Sequence, residues 1–391
     1  MKASGNLSQE TGTHADQSAM DIASVPPGVG STIGVEEEFH ILDPSTAELT
    51  PDVGRILNVA GGDPTAEPEL QQSSVETATA VCHTLAEVRA ELIARRRTLR
   101  EFADEAGLWV VAAGTVPDAG AREVVVYPTD RYRQMAEDYQ YLVSGHVVCA
   151  GQVQVGVPDR DLAVALATRV RPWLPVLLAL SASSPFFQHG DTGYASYRTV
   201  AWSRWPTAGP APTFRTAAEY DDTVHALIRS GVITDPGMVY FDIRASARYP
   251  TVEIRIADAC PLVDDVVLLT ALGRAMVVAA AVEEQAGVPM PEVRPELLRA
   301  ATWRAARSGM TGDLVDPVAG EAMVAAKMVD RLLDYVRPCL QDRGELDTVA
   351  DLVETHRSRG TSADRQRAAY ARRGRLRDVV DLVLEETAIG S

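Results

Sequence analysis

The sequence has few of the residues that build thiolate metal sites, disulfide frameworks or nucleic-acid interfaces. Its 391 residues include only seven histidines and four cysteines, Cys82, Cys149, Cys260 and Cys339, without CxxC spacing. This pattern predicts no disulfide framework and no zinc site, and it is typical of buried thiols in a reducing compartment. Positive charge is also scarce, because 37 Lys and Arg stand against 54 Asp and Glu, a net charge of −17. Such acidity argues against nucleic-acid binding.

Several motifs of nucleotide-binding and hydrolytic enzymes are missing as well. The sequence contains no Walker A motif, no GxGxxG after a strand-like run and no GxSxG elbow, which argues against P-loop, Rossmann and α/β-hydrolase chemistry. Its most apolar run, residues 266–282, is short and interrupted by Arg274, so it predicts a buried helix rather than a membrane span. The N-terminus has no apolar stretch. We therefore expect a soluble, cytoplasmic protein without a signal peptide.

The pattern of apolar residues predicts an α+β protein. Residues 1–30 are rich in Ser, Thr, Gly, Asp and Gln and read as a disordered leader, followed by one domain over 31–388 with a helical C-terminal third. Helical spacing covers 85–106, 161–182 (with Asp159 as N-cap), 217–230, 264–284 and much of the chain after 295. Strand-like runs cover 33–42, 109–113, 147–157, 239–246 and 251–257. The long segment 190–213 is expected to be a functional loop.

Charged and amide side chains recur at alternate positions within these strands. Because side chains i and i+2 of a strand lie on one face, Glu36, Glu38 and His40 share a face, and so do Glu253 and Arg255. The same alternation groups Gln152 with Gln154, and Tyr240 with Asp242 and Arg244.

Two interpretations of these polar faces are open. Each strand could simply turn a polar face to water, as antiparallel sheets often do. Alternatively, one face of a curved sheet lines a polar cavity, in which neighbouring carboxylates need cations to offset their repulsion. Oxygen ligands favour Mg²⁺ or Mn²⁺ over zinc, and Arg198, Arg244, Arg248 and Arg255 suit phosphate or carboxylate groups. Carboxylates, a divalent metal and arginines together are typical of phosphoryl transfer.

Blocks of sequence throughout the chain resemble a known family. GVEEEF at 34–39, QSSVETAT around Glu76, VGVPD from 155, RPWLPVLLALSA from 171, DTGYASYR from 191, WPTAGP from 205, SARYPTVEIR from 246 and RGTSADRQR from 359 occur in a consistent order. Over roughly residues 31–388 the sequence resembles the bacterial carboxylate–amine ligases, the type 2 glutamate–cysteine ligase family.

The resemblance implies a fold, a reaction and a set of site residues. The expected fold is glutamine-synthetase-like: a curved, mainly antiparallel sheet forming a funnel, packed on outer helices. The expected reaction is ATP-dependent amide formation through an acyl phosphate, with Mg²⁺ or Mn²⁺, in a homodimer. The implied metal ligands are Glu36, Glu38, Glu69, Glu76 and Glu253. The implied catalytic residues are Arg198, Glu253 and Arg255, and the implied substrate- or nucleotide-binding residues are Gln152, Gln154, Trp202, Arg204, Arg244 and Arg248.

The sequence also departs from the family pattern. Type 2 members resembling this chain usually carry histidines where it has Gln152, Gln154 and Val116. Glutamine offers only a neutral amide, whereas histidine can bind a metal through nitrogen or transfer a proton. The family makes glutamate plus cysteine the default substrate pair, and the missing histidines point to the alternative, an amide ligase of specialised metabolism with another acid or amine. A non-catalytic paralogue that binds a nucleotide or amino acid is a third, less favoured, hypothesis.

Overall fold

A computed structural model describes residues 20–117 and 125–389. In these ranges the strands are β1 (Ile33–Leu42), β2 (Glu67–Pro68), β3 (Ser74–Ala78), β4 (Trp109–Val111), β5 (Gly151–Gly156), β6 (Phe186–Phe187), β7 (Gly190–Asp191), β8 (Ile243–Ala245), β9 (Thr251–Ile254), β10 (Asp313–Asp316) and β11 (Glu321–Val324). The helices are α1 (Val53–Ala60), α2 (Leu85–Glu105), α3 (Asp130–Tyr139), α4 (Tyr141–Ser144), α5 (Arg160–Val170), α6 (Leu174–Ser181), α7 (Tyr197–Trp202), α8 (Ala217–Arg229), α9 (Val263–Gln285), α10 (Pro295–Ser308), α11 (Ala325–Asp342), α12 (Leu346–Arg359), α13 (Ser362–Arg373) and α14 (Leu376–Ala388).

Seven strands form the central sheet. Its order is β2-β3-β1-β5-β9-β8, with β4 also paired to β1, and every pair is antiparallel. The sheet is not closed into a barrel. The expected α+β class and mainly antiparallel sheet are thus confirmed.

The apolar face of the sheet packs on α2, α5 and α9. Val35, Phe39 and Ile41 of β1 are buried on this side, as the alternation predicts. Glu37, on the same side, is buried too, and its carboxylate pairs with the guanidinium of Arg96 from α2 at 2.5 Å. One face of β1 therefore belongs to the core, which leaves the other face free to line a cavity.

Two helical stretches are apolar and long enough to cross a membrane by composition alone, Arg160–Ser181 and Val263–Gln285. In the folded protein 89% and 100% of their most apolar windows are buried. They are core helices, which fits a soluble protein. The side chain of Asp159 accepts a hydrogen bond of 2.8 Å from the Leu162 N–H and is the N-cap predicted for α5.

Several expected elements differ from the structure. The helix predicted over 161–182 is two helices, α5 and α6, separated by a 3-10 turn that contains Pro172, a residue without the N–H that a continuous helix needs. The C-terminal third is not purely helical, because β10 and β11 form a hairpin there. The segment 190–213 is not one loop, since it contains β7 and α7.

The boundary expected at residue 30 also differs from the structure. Residues 1–19 lie outside the described residues, but the chain from residue 20 is placed against the core. Val29 is buried, and the Gly30 N–H donates a 2.8 Å hydrogen bond to the Gly156 carbonyl oxygen. Polar composition misled the prediction here, because the few apolar residues of this segment reach the core: Val29 belongs to it, and Met20, Ile22 and Val25 pack against it.

Candidate active site

A cavity of about 540 Å³ opens on the polar face of the central sheet. The strands β1, β3, β5, β8 and β9 supply side chains to it, so residues far apart in sequence meet there. The cavity is lined by most of the residues expected at the site: Glu36, Glu38, Glu69, Glu76, Gln152, Gln154, Trp202, Arg244, Arg248, Glu253 and Arg255. Lining by these side chains supports the cavity interpretation over a sheet face turned to water.

Three carboxylates gather at one place in the cavity wall. Glu38 of β1 and Glu76 of β3 are direct partners in the antiparallel register, and Glu69 lies in the short connection between β2 and β3. One oxygen of each lies within 4.8 Å of the others. Glu69 Oε2 accepts hydrogen bonds from its neighbouring Leu70 N–H at 2.6 Å and from the Tyr132 hydroxyl at 3.2 Å. The set has the oxygen chemistry that Mg²⁺ or Mn²⁺ requires.

Burial makes the negative charge of this cluster costly. Desolvation and the neighbouring Glu69 raise the pKa of Glu38 to about 7. Burial, together with the adjacent carboxylates, also raises the pKa of Glu76 well above its ordinary value. Desolvation and Glu253 raise the pKa of Glu36. A bound divalent cation would remove the repulsion and keep these groups ionised, so the residues present fit such a metal.

Glu253 lies in a different electrostatic setting. Arg244 donates two hydrogen bonds to its carboxylate, from Nε to Oε2 at 2.9 Å and from Nη2 to Oε1 at 3.1 Å, and Arg255 Nη1 donates a third. Burial alone would raise the pKa of Glu253, but the two arginines outweigh it and lower the pKa to about 2. Glu253 is therefore a permanent anion that holds both arginines at the cavity.

The two glutamines of β5 connect acidic and basic side chains. Gln152 Nε2 donates to Glu38 Oε1 at 3.3 Å, while its Oε1 accepts from Arg255 Nη1. Gln154 Nε2 donates to Glu36 Oε1 at 3.2 Å, and its Oε1 accepts from the Thr251 hydroxyl at 2.6 Å. Each amide thus uses its donor on a carboxylate and its acceptor on a second group. A neutral side chain with both functions suits these two positions.

The sequence model of glutamate–cysteine ligase family 2 matches residues 32–382. The chain belongs to glutamate–cysteine ligase family 2. This match covers the whole central sheet and all the cavity-lining residues named above.

Curated relatives in the family are bacterial proteins with provisional names. A protein of Frankia casuarinae named glutamate–cysteine ligase 2-2 is 54% identical over 355 residues, which are 91% of this chain but 41% of the relative. A Frankia alni protein with the same name is 46% identical over 372 residues, 91% of this chain and 97% of the relative. The chain therefore spans less than half of some relatives and nearly all of others.

Solved structures of ligases share the fold. The glutamate–cysteine ligase of Francisella tularensis in complex with AMP superimposes with a TM-score of 0.66 at 10% identity, over 93% of this chain and 89% of that chain. A bifunctional glutathione synthetase from Pasteurella multocida gives a TM-score of 0.64 at 14% identity, over 92% of this chain and 52% of that chain. At these identities the likeness shows a common fold.

Three residues singled out from the family pattern do not reach the cavity. The guanidinium of Arg198 lies behind the wall, where it donates hydrogen bonds of 3.2 Å to the backbone carbonyl oxygens of Arg255 and Ile256. Arg204 Nε donates to the Ala201 carbonyl oxygen at 3.0 Å. Val116 is buried in a small apolar cluster. Arg198 is thus placed to position Arg255, and Val116 adds nothing to the argument about substrate choice.

The structure also brings residues to the cavity that sequence reasoning missed. Glu67, Arg131, Tyr132 and His146 line it, from β2, α3 and the segment before β5. None belongs to a strand with an alternating polar pattern, so no sequence signal marked them. Asp242 shows the opposite error: it is buried without lining the cavity, although Tyr240 and Arg244 on either side of it do line it.

We expect the metal-free protein to lose thermal stability as the pH rises from about 6.5 to 8. The folded-state pKa of Glu38 is about 7, above the 4.5 of an ordinary glutamate, so its contribution to stability is present at low pH and is lost as the pH rises through 7. Below pH 6.5 two histidines act in the opposite direction. Burial lowers the pKa values of His40 and His146 to about 3, so below pH 6.5 these side chains bind protons in the unfolded chain but not in the folded protein, and their contribution to stability falls as the pH falls. Thermal melts in chelator across this pH range measure the effect.

Excess Mg²⁺ distinguishes the carboxylate cluster from other buried acids. It should raise the melting temperature more at pH 8 than at pH 6.5, because the cation binds the ionised cluster. Burial also raises the pKa of Asp242 to about 7, but this residue lies outside the cavity and its contribution should not respond to metal. An identical melting profile with and without Mg²⁺ would contradict a metal site here.

Proposed function

We propose that the protein is an ATP-dependent carboxylate–amine ligase that forms an amide bond through an acyl phosphate. The observation that carries this proposal is the pairing, in one cavity, of the Glu38–Glu69–Glu76 cluster with Arg244, Arg248 and Arg255. Divalent cations and arginines are the groups that neutralise a transferring phosphoryl group. Family membership and the shared ligase fold support the same activity.

The proposed reaction has two steps. A substrate carboxylate oxygen attacks the γ-phosphorus of ATP, and the bond from that phosphorus to the bridging oxygen of ADP breaks. The nitrogen of the amine then attacks the carbonyl carbon of the acyl phosphate, phosphate leaves, and the nitrogen loses a proton. Amide, ADP and inorganic phosphate are the products.

The protein's own residues would bind and orient the reactants. Glu38, Glu69 and Glu76 would hold Mg²⁺ or Mn²⁺, which supplies charge neutralisation at the phosphate oxygens. Arg255 is available for phosphate because it lines the cavity and its side chain keeps 13% of its surface exposed. Arg248 is an exposed cation at the β8–β9 turn that lines the cavity. Trp202 and the two glutamines of β5 complete the walls that a small acid and amine would contact.

Glutamate and cysteine are the default substrates, and a different acid or amine is the alternative. The alternative is favoured by the glutamines at 152 and 154, because each has both amide functions occupied by neighbouring side chains and neither can act as an acid or base. The non-catalytic hypothesis is less favoured, because the carboxylates and Arg255 are together in one cavity.

The proposed setting is a homodimer in the cytoplasm with a single catalytic domain and no nucleic-acid or membrane partner. The acidic net charge supports the absence of a nucleic-acid partner, and the four cysteines, all buried and free, support a reducing compartment. Light scattering of the purified chain would measure the oligomeric state.

A product analysis tests the function. We expect purified protein with Mg²⁺ and ATP to release ADP and phosphate when an acid and an amine are both present, with an amide of matching mass. A panel of acids and amines, starting from glutamate and cysteine, would be read by coupled ADP detection and mass spectrometry. AMP and pyrophosphate as products would contradict the acyl-phosphate route, and no nucleotide turnover with any pair would favour the non-catalytic hypothesis.

A further inference from the structure

One wall of the cavity is aromatic, and we call it the aromatic wall: His146, Trp202, Trp205 and Tyr240. Trp202 is at its centre, with its ring centroid 5.1 Å from that of His146 and 4.9 Å from that of Tyr240. Trp205 packs edge-on to His146 at 5.3 Å. These contacts hold the rings in fixed orientations beside the polar half of the cavity.

The proton position on His146 follows from its contact with Trp205. The Trp205 indole Nε1 lies 3.1 Å from His146 Nδ1. An indole N–H only donates, so Nδ1 is the acceptor and the ring proton is on Nε2. Burial and the nearby Arg198 and Arg204 lower the pKa of His146 to about 3, which keeps the ring neutral. His146 therefore presents a single N–H donor.

The aromatic wall offers three hydrogen-bond donors to the cavity. Among the described residues no acceptor contacts His146 Nε2, the Trp202 Nε1 or the Tyr240 hydroxyl. Each of these three atoms keeps some exposed surface, so a ligand in the cavity can reach it. A ligand that displaces water from this wall must supply acceptors, because a buried donor left unpaired loses its hydrogen bond to water without replacement.

Two guanidinium groups lie near the same wall. The guanidinium of Arg198 lies over the Trp202 ring, with Cζ 5.8 Å from the centroid. Burial raises the pKa of the Tyr240 hydroxyl to about 12, and the nearby Arg131, which lines the cavity and pairs with Asp235 at 3.1 Å, opposes this rise. An anionic acceptor satisfies the donors, whereas an ammonium group offers them no acceptor.

We propose that the aromatic wall binds a non-reacting carboxylate of one of the two small-molecule substrates. This inference deepens the proposed function and rests on it for the identity of the substrates. The carboxylate that becomes an amide must lie with the metal and phosphates at the acidic cluster, so an amino-acid substrate presents its other carboxylate to the N–H and O–H donors. The wall then discriminates amino acids from amines that lack this group.

Matched ligand pairs test the proposal on the full chain. L-Glutamate is compared with 4-aminobutyrate, and L-cysteine with cysteamine, in Mg²⁺ without ATP. Quenching of tryptophan fluorescence and calorimetry report binding directly, since two of the five tryptophans belong to the wall. We expect the carboxylate-bearing member of at least one pair to bind about tenfold or more tightly, and that pair identifies which substrate uses the wall.

Single substitutions test whether the aromatic wall causes the preference for the carboxylate-bearing ligand. Tyr240→Phe removes one donor without changing the ring, and it should reduce the preference several-fold by weakening only the carboxylate-bearing ligand. His146→Phe should do the same. His146→Gln keeps an acceptor for Trp205 and a donor for the cavity, so it should restore most of the preference. Tyr197→Phe, a hydroxyl outside the cavity lining, is the matched control and should bind both ligands as the wild type does.

The outcomes separate this proposal from the proposed function. Equal affinity within both pairs, or an unchanged preference in both Tyr240→Phe and His146→Phe, overturns the carboxylate assignment. If adenosine bound the wild type but not these two variants, the wall would be the site of the nucleotide base, and the carboxylate assignment would also be overturned. A carboxylate preference without ADP release from any acid and amine would uphold the wall and reject the ligase activity.

Discussion

Replacing Glu38 with glutamine is expected to lower turnover by about 100-fold or more while the protein stays folded. Glu38 belongs to the three-carboxylate cluster, and its loss removes a metal ligand and its charge from the cavity. Because burial opposes the ionised form of Glu38, the neutral variant should melt at the wild-type temperature or slightly above it in chelator. Steady-state ADP release and thermal melts measure the two effects.

Glu37→Gln is the matched control for this substitution. It changes the next residue of the same strand, whose side chain points into the core and pairs with Arg96. Removing one partner of a buried pair costs about 3–5 kcal/mol, so this variant should melt earlier while each folded molecule keeps its turnover. If Glu38→Gln retained near wild-type turnover, or if Glu37→Gln lost turnover without losing stability, the assignment of the two faces of β1 would be wrong.

Replacing Arg255 with lysine should reduce kcat/KM for ATP by about 100-fold. The guanidinium contacts Gln152 and Glu253 through Nη1, and its buried Nε–H has no acceptor in the part of the chain that the structure describes. An ammonium group retains the charge but cannot donate in these directions at once. The measurement is the dependence of ADP release on ATP concentration at saturating acid and amine.

Arg274→Lys is the control for Arg255→Lys. Arg274 is also buried and also pairs with a carboxylate, that of Glu345, but it lies in α9 within the core. Its substitution should lower the melting temperature and leave the ATP response unchanged. An unchanged ATP response in Arg255→Lys, with the fold intact, would remove Arg255 from the nucleotide site.

Local sequence patterns were sufficient for much of the fold. The bounds expected for β1, α2, α8 and α9 agree with the structure to within about two residues, since each is a long element with a clear apolar period. The strands predicted at 147–157, 239–246 and 251–257 exist but are shorter, because only parts of these apolar runs find a partner strand. Strand β3 is not among the strands predicted from the sequence: its five residues carry too few apolar positions to show a period, and pairing with β1 and β2 makes it a strand.

The sequence by itself determined the chemistry available to this protein. Alternation within β1, β5 and β9 placed Glu36, Glu38, the two glutamines and Glu253 on one polar face, and the structure shows that face lining the cavity. The family resemblance added Glu69 and Glu76, whose local sequence favoured an ordinary solvated turn. The inferences from β1, β5 and β9 hold because the alternation of side chains along a strand depends only on neighbours in the chain.

Tertiary structure alone decided which of these groups act together. The register of β1 against β3 brings Glu38 to Glu76, and β8 and β9 enclose Glu253 between two arginines. Arg198, which was expected in the site, lies behind the cavity wall. His146 and Tyr132 line the cavity, although their segments have no alternating polar pattern. Contacts between elements depend on sheet order and packing over long sequence separations. No local period encodes those distances, and so the aromatic wall could be recognised only in the folded protein.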